Sequence, residues 1–216
     1  MSVRLLLLRH GESTWNAERR WQGRADPPLS TRGERQAVEA IRPLAELGDI
    51  AAVVTSSLQR ARRTGEVLAE GLGIELSESE PGLDERSAGP WEGMTRDEIH
   101  RDYPGFLDVD RRPAGYESDA ALLGRVVPAL RRAHERASRR AQGRIVVVSH
   151  GGVIGAVERH ADAATSGERP PGSRFDNLEG RWFTLDADGF AALGDRVLLV
   201  GDREADGPGV ADAHYL

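Results

Sequence analysis

Residues 3–12 read Val-Arg-Leu-Leu-Leu-Leu-Arg-His-Gly-Glu, and this stretch decides the fold of the chain. A short apolar run that ends abruptly at charged residues is typical of a buried strand in a parallel sheet. Residues 144–152 repeat the pattern, with Arg-Ile-Val-Val-Val-Ser followed by His-Gly-Gly. Ligands bind just outside the carboxyl ends of the strands in open α/β sheets. We therefore expect Arg9, His10 and His150 to lie together at a functional edge.

The remaining hydrophobic pattern alternates between strands and helices. Strands are predicted over residues 3–8, 51–55 and 144–149, and helices over 31–47, 58–72, 119–141 and from 152 onwards. Thr31 with Glu34, and Thr95 with Glu98, have the spacing of capping boxes. A short edge strand is predicted at 73–76, and two late strands at 182–185 and 196–200 could add an antiparallel edge. This order indicates a mostly parallel sheet with helices on both faces.

Composition narrows the function classes. The chain has 216 residues, no cysteine, no lysine and a formal net charge of −6. Disulfides, thiolate catalysis, zinc–thiolate sites and a P-loop lysine are excluded, and arginine is the only cation that can hold an anion. The acidic balance disfavours nucleic acid and anionic membranes. We expect one domain over residues 1–200 and a tail over 201–216.

Nothing in the sequence predicts a membrane protein. No apolar run is long enough to span a bilayer, and the N-terminal run is short and ends at Arg9, so we expect neither a signal peptide nor an anchor. The expected location is the cytoplasm. A homodimer is left open by these patterns.

Five side chains follow the predicted strands and suit one kind of chemistry. Arg60 lies at the start of the helix after the second strand, and Glu85 lies in the loop 83–93. With Arg9, His10 and His150 they provide cations, a nucleophile and a carboxyl group, without metal-ligand spacing. Phosphoryl transfer depends on positioning and on stabilising negative charge. His10 can attack phosphorus if one ring nitrogen is unprotonated, and a protonated Glu85 can donate to the leaving oxygen.

These motifs resemble those of the histidine phosphatase superfamily, which includes the cofactor-dependent phosphoglycerate mutases. The similar segments are Arg-His-Gly-Glu-Ser-Thr-Trp-Asn at 9–16, Gln-Gly at 22–23 with Asp-Pro-Pro-Leu-Ser at 26–30, Ser-Ser-Leu-Gln-Arg-Ala at 56–61, the loop 83–93, and Val-Ser-His-Gly-Gly at 148–152. The resemblance implies a three-layer α/β/α sandwich with a mostly parallel central sheet, like that of the phosphoglycerate mutases. It also implies that no metal or other cofactor is needed.

The resemblance assigns roles to individual residues. His10 would be the residue that is phosphorylated, and Glu85 the proton donor, with Asp84 and Glu92 as rivals for that role. The phosphate pocket would be formed by Arg9, Arg60 and His150. The substrate-binding residues would be Asn16, Gln22, Gly23 and Gly151. The partner expected from this set is a small phosphorylated molecule.

Phosphatases and mutases share these residues, so the reaction must be inferred from other positions. Arg86 and the pair Arg111-Arg112 are suggestive of a mutase. Two features favour a phosphatase. The chain has Gly152 where mutases resemble one another in having Asn. The segment 113–118 resembles the Pro-Gly-Gly-Glu-Ser of the phosphatase branch. We expect a phosphatase, with a phosphoglycerate mutase as the alternative. A catalytically inactive binding module is disfavoured because all five core residues are present.

Overall fold

The computed structural model describes residues 3–77, 79–138, 143–166, 174–185 and 190–201. Five strands form one sheet in the order β2-β3-β1-β4-β5. The strands are β1 (Val3–Arg9), β2 (Ile50–Thr55), β3 (Arg144–Ser149), β4 (Glu179–Leu185) and β5 (Phe190–Leu198). The helices are α1 (Thr14–Ala17), α2 (Thr31–Glu39), α3 (Ile41–Glu46), α4 (Gln59–Leu72), α5 (Arg96–Asp102), α6 (Asp119–Ser138) and α7 (Gly151–Ser166). None of the helices in these ranges is both long and apolar enough to cross a membrane.

The sheet is mixed, so the expectation of a mostly parallel sheet was wrong. β1 and β2 each pair with β3 in parallel, whereas β4 pairs antiparallel with both β1 and β5. The backbone N–H of Leu178 donates to the carbonyl of Arg9 at 3.1 Å, so the chain enters β4 beside the carboxyl end of β1. From that point β4 can pair with β1 only by running in the opposite direction.

The apolar run of β1 is continuous because both of its faces are covered. Leu5 and Leu7 belong to a core cluster with residues of α6 and α7, such as Val126 and Ile154. Leu6 and Leu8 belong to a second cluster, which includes Leu68 of α4. Successive strand side chains point to opposite faces, so two covered faces require apolar residues at every position. The polar residues begin where β1 leaves the sheet.

Two predicted helix starts had different outcomes. The capping box of Thr95 and Glu98 is confirmed at the start of α5. The one expected for Thr31 and Glu34 was wrong, because Ser30 is the N-cap and its hydroxyl accepts from the N–H of Gly33.

The single helix expected over 31–47 is divided at Ala40 into α2 and α3. Pro43 has no N–H to donate to the preceding turn, and this loss costs least in the first turn of a helix. The break places Pro43 in the first turn of α3.

Other boundaries shift modestly. Residues 73–76 form only an isolated bridge between Val53 and Leu76, and both late strands are longer than expected. The predicted end of the long helix at 139–141 and the tail from 202 onwards lie outside the described residues. Trp91 is buried in a third apolar cluster with Trp21, Ala88 and Ile99. This cluster lies under the loop that carries Glu85.

Candidate active site

The carboxyl ends of three parallel strands bring the predicted residues together. The N–H of His10 donates to the carbonyl of Ser149 at 3.1 Å, which ties the end of β1 to the end of β3. Nε2 of His150 lies 2.8 Å from Oγ of Ser56, the residue that follows β2. The rings of His10 and His150 are 5.2 Å apart and meet edge to face. The strand ends therefore converge as the sequence predicts.

Backbone contacts define which nitrogen of His10 carries its proton. Nδ1 lies 2.6 Å from the carbonyl oxygen of Gly11, which can only accept, so Nδ1 is the protonated nitrogen. Nε2 then has a lone pair, and it accepts from Nε of Arg60 at 3.3 Å. Burial, reinforced by the charges of Arg60 and Arg9, holds the pKa of His10 well below 6.5. The ring is therefore neutral and can act as a nucleophile at neutral pH.

Gly11 is required by close backbone packing beside His10. A Cβ at this position would lie 2.7 Å from the carbonyl oxygen of Gly33, which is closer than real contacts allow. The N–H of Gly11 donates to Oγ1 of Thr64, which in turn donates to the carbonyl of Arg60. These contacts connect the end of β1 to the first turns of α4.

Arg9 and Arg60 are buried guanidinium groups held by backbone carbonyls. Arg9 donates to the carbonyl of Phe175 at 2.6 Å, and Arg60 donates to the carbonyls of Gly23 and Ala25 at 3.0 and 2.8 Å. Burial lowers the pKa of Arg9 to about 10, with a further contribution from Arg174, and burial likewise lowers that of Arg60 to about 10. Both groups are charged at neutral pH, and both suit an anion.

Glu85 lies in the same cavity, and its two rivals do not. Its carboxylate oxygens accept hydrogen bonds from the backbone N–H of Arg86 at 2.7 Å and from the backbone N–H of Gly152 at 2.9 Å. Asp84 is instead held by the hydroxyl groups of Ser56 and Ser57, and Glu92 accepts from the N–H groups of Arg24 and Ala88. Of these three acids, only Glu85 lines the cavity beside His10.

Three of the four residues expected to bind substrate also line this cavity. They are Gln22, Gly23 and Gly151. Asn16 does not line it. Its Oδ1 accepts from the backbone N–H of Ser13, the N-cap residue of α1, and its own backbone N–H donates to the hydroxyl of Ser13. The hydroxyl of Ser13 also donates to Gln22. In the structure Asn16 therefore holds the loop that carries Gln22.

Sequence reasoning missed much of the cavity wall. The further lining residues include Trp21, Tyr116, Arg159, Arg174 and Phe175. Arg159 had a detectable signal, because it follows Gly151, Gly152 and Gly155 at helical spacing on α7. Arg174 and Phe175 had none, since they precede β4 in a segment without periodicity. Of the basic residues suggestive of a mutase, Arg86 lines the cavity, whereas Arg111 packs over Phe106 and Arg112 over Trp91.

A neutral histidine beside two buried arginines, with a carboxyl group in the same cavity, is an arrangement that suits phosphoryl transfer. The model of the histidine phosphatase superfamily (branch 1) matches residues 5–194. The chain belongs to this superfamily.

Two bacterial proteins are similar in sequence to part of this chain. It is 39% identical over 104 residues to a probable phosphoglycerate mutase GpmB of Cronobacter sakazakii, covering 48% of this chain and 47% of that protein. It is 40% identical over 156 residues to the bifunctional protein Rv2228c of Mycobacterium tuberculosis, covering 68% of this chain and 41% of that protein. The chain thus spans less than half the length of each.

Solved structures share the fold over most of both chains. The mycobacterial glucosyl-3-phosphoglycerate phosphatase Rv2419c in complex with VO3 has a TM-score of 0.73 at 27% identity, covering 88% of this chain and 96% of that chain. A structure named mycobacterial hydrolase 1 has a TM-score of 0.75 at 26% identity, covering 90% and 98%. The similarity to these structures supports the interpretation that this chain is a phosphatase.

Proposed function

We propose that this chain hydrolyses a small phosphomonoester through a phosphohistidine on His10, without a metal ion. The observation that carries the proposal is the hydrogen bond between Nδ1 of His10 and the carbonyl of Gly11. It directs the lone pair to Nε2, next to Arg60, in a ring that burial keeps neutral. A phosphoryl group bound by Arg9 and Arg60 would then present its phosphorus to that nitrogen.

In the first step, Nε2 of His10 forms a bond to phosphorus while the bond from phosphorus to the ester oxygen breaks. The electron pair of that bond goes to the leaving oxygen, which takes a proton from Glu85. Arg9 and Arg60 stabilise the charge on the equatorial oxygens. His150 packs edge to face against the ring of His10, but it is fully buried and is not among the residues that line the cavity.

In the second step, water attacks the phosphorus of phosphohistidine. The bond to Nε2 breaks, and the carboxylate of Glu85 takes the proton from the water. The N–H groups of Arg86 and Gly152 keep that carboxyl group aimed at one place in both steps. One group can therefore act first as an acid and then as a base.

Hydrolysis is favoured over mutase activity by the surroundings of Gly152. A Cβ there would lie 2.9 Å from Cδ of Glu85, so the Asn that is typical of mutases would require the end of the Glu85 side chain to move. Arg111 packs over Phe106 and Arg112 over Trp91 and Tyr116, and neither arginine lines the cavity. Two observations favour the alternative, a phosphoglycerate mutase: Arg86 lines the cavity, and a probable phosphoglycerate mutase is among the similar proteins.

The direct test is to trap the intermediate. Wild-type protein is mixed with radiolabelled substrate and denatured within milliseconds, and the label on protein is measured before and after mild acid treatment. Acid-labile label is expected in the wild type and none in His10→Ala. Label retained by a folded His10→Ala protein, or no labelling during rapid turnover of the wild type, would overturn the proposal.

A further inference from the structure

A buried hydroxyl group connects His150 to an acid that the proposed reaction does not use. Nε2 of His150 lies 2.8 Å from Oγ of Ser56, and that hydroxyl oxygen lies 2.8 Å from Oδ1 of Asp84. His150 and Ser56 are both fully buried. Asp84 is therefore linked, through one hydroxyl group, to the ring that packs against the nucleophile His10.

The hydrogen-bonding capacity of Ser56 fixes the tautomer of His150. A serine hydroxyl has one proton to donate and two lone pairs that can accept. The carboxylate of Asp84 can only accept, so the one proton of Ser56 is directed to Asp84. The backbone N–H of Leu58 donates to the hydroxyl at 3.1 Å and occupies one lone pair. Nε2 of His150 must then carry a proton and donate to the other lone pair, which leaves Nδ1 of that ring unprotonated.

Ser56 also sets the orientation of the His150 ring. Nδ1 of His150 is buried and has no hydrogen-bond partner among the described residues. The ring centroids of His150 and His10 are 5.2 Å apart, and an edge-to-face contact does not by itself select one position for each ring nitrogen. The single hydrogen bond from Nε2 to Ser56 therefore decides how His150 lies against the nucleophile.

Asp84 is itself held in the position that orients this hydroxyl. Its Oδ1 also accepts from the backbone N–H of Ser57 at 2.8 Å, and its carbonyl accepts from Nη1 of Arg125 on α6 at 2.7 Å. The backbone at Asp84 is extended, with φ −62° and ψ 156°, and successive side chains of an extended chain point in opposite directions. Asp84 thus contacts Ser56, whereas its neighbour Glu85 lines the cavity.

We propose that Ser56 and Asp84 are positioning residues, which hold His150 as the Nε2–H tautomer and so fix the ring that packs against His10. Neither residue lines the cavity, so they act through His150 and not by binding the phosphoryl group. A rotated His150 ring would displace His10, and displacement of a catalytic group by about 1 Å can cost up to roughly 100-fold in rate. The effect on turnover rests on the proposed function, whereas the tautomer can be measured without any substrate.

Nitrogen NMR of protein containing isotope-labelled histidine measures the tautomer, because protonated and unprotonated ring nitrogens have well-separated chemical shifts. The signals of His150 are identified by their loss in His150→Gln. At neutral pH the ring is neutral, because burial and the charge of Arg60 lower its pKa. The wild type should show a protonated Nε2 and an unprotonated Nδ1. A proton on Nδ1 of His150 would overturn the proposal, whatever the result of the phosphohistidine experiment.

Removing the carboxylate tests the role of Asp84. In Asp84→Ala the hydroxyl proton of Ser56 is free to turn towards Nε2 of His150. A second tautomer with the proton on Nδ1 should therefore appear, and kcat should fall on the order of 10- to 100-fold. Ser57→Ala is the matched control, because it removes a different hydroxyl group from Asp84 and leaves the bond to Ser56 in place. If Asp84→Ala does not fold, Ser56→Ala, which removes the partner of Nε2, is tested for the same two changes.

The results separate this role from an effect on the neighbouring acid. The loss of kcat should be similar for alkyl phosphates and for para-nitrophenyl phosphate, because the position of His10 matters for both. A loss confined to alkyl phosphates would show that Asp84 acts through Glu85 instead. An unchanged tautomer in a folded variant would contradict the assignment, and a changed tautomer with unchanged kcat would contradict the positioning role.

Discussion

Nε of Arg60 donates a hydrogen bond to Nε2 of His10 across 3.3 Å. A guanidinium cannot donate to a protonated imidazole nitrogen, so this contact exists only with the neutral ring. Burial and the adjacent arginines lower the pKa of His10, which keeps the ring neutral well below pH 6.5. A bound phosphoryl group would place its phosphorus against Nε2 and its oxygens against Arg60. Burial and Arg60 thus keep His10 unprotonated, and in the proposed reaction Arg60 would also bind the phosphoryl group under attack.

Replacing Glu85 tests the proton donor. Glu85→Gln cannot donate a proton, so turnover of alkyl phosphates should fall on the order of 10²- to 10⁴-fold. The loss should be much smaller for para-nitrophenyl phosphate, whose leaving group needs little protonation. Steady-state rates on both substrates provide the measurement. Equal losses on the two would assign the proton to another group, and Glu92→Gln serves as the matched control.

Replacing Gly152 tests the position of the Glu85 carboxyl group. The Cβ of Gly152→Ala would lie 2.9 Å from Cδ of Glu85 and must displace it. Displacement of a catalytic group by about 1 Å can cost up to roughly 100-fold in rate. We expect kcat to fall most for poor leaving groups. Gly124→Ala on α6, where an added Cβ meets nothing within 4 Å, should have wild-type kinetics. Unchanged kcat in a folded Gly152→Ala protein would contradict this positioning.

Metal removal tests the proposed chemistry. Arg9 and Arg60 already provide two buried positive charges for the phosphoryl oxygens, so dialysis against EDTA should leave kcat and KM unchanged. Vanadate, which can adopt the five-coordinate geometry of the transition state, should inhibit strongly. Rates are compared before and after dialysis and after adding back Mg²⁺ or Zn²⁺. Restoration of lost activity by either ion would show that the reaction depends on a metal.

Stability should fall in mild acid because His10 and His150 are buried. Burial, together with Arg60, lowers the pKa of both rings, so below about pH 6.5 the unfolded chain binds protons that the folded chain does not. The free energy of unfolding should therefore decrease as pH falls from 6.5 to 5, by at most roughly 1.4 kcal/mol per pH unit for each ring. It should recover as pH rises back through that window.

Urea unfolding at pH 5, 5.5, 6 and 6.5 measures this slope. His150→Gln should reduce the slope by less than about half, because burial also lowers the pKa of His134, and this holds whatever the effect of the substitution on stability at pH 7. His100→Gln, outside the site, is the control. The window avoids Glu117 and Asp119, whose pKa values are lowered despite partial burial, mainly by Arg125 and Arg159 respectively, because those groups protonate at lower pH. A slope that is unchanged in His150→Gln would show that its ring is not the group that takes up the proton.

Product analysis separates hydrolase from mutase. With 3-phosphoglycerate and catalytic 2,3-bisphosphoglycerate, a mutase forms 2-phosphoglycerate with little inorganic phosphate. A hydrolase releases phosphate from a good substrate without that cofactor, because water reaches phospho-His10. We expect phosphate release and no rapid interconversion of the two phosphoglycerates. Fast interconversion would establish the alternative, in which Arg86 would serve to hold the second acidic group.

The sequence by itself determined the parallel part of the sheet and the residues at its edge. The runs at 5–8 and 145–148 are apolar at every position because both faces of those strands are buried, and this pattern needs no knowledge of the partner strands. The positions where these runs end predict Arg9, His10 and His150 as residues of the site. Motif spacing predicts Glu85 and Arg60 as site residues, and both line the cavity.

Only the tertiary structure decided the direction of β4 and the far end of the cavity. Strand direction depends on where the chain re-enters the sheet, and Leu178 re-enters beside Arg9, which no local pattern records. Arg159 and Arg174 reach the cavity from a helix and from an aperiodic segment, and their meeting with Asp119 and Arg9 depends on how α6, α7 and β4 pack. Local sequence carries the periodicity of each element, but contacts between distant elements arise only when those elements pack together.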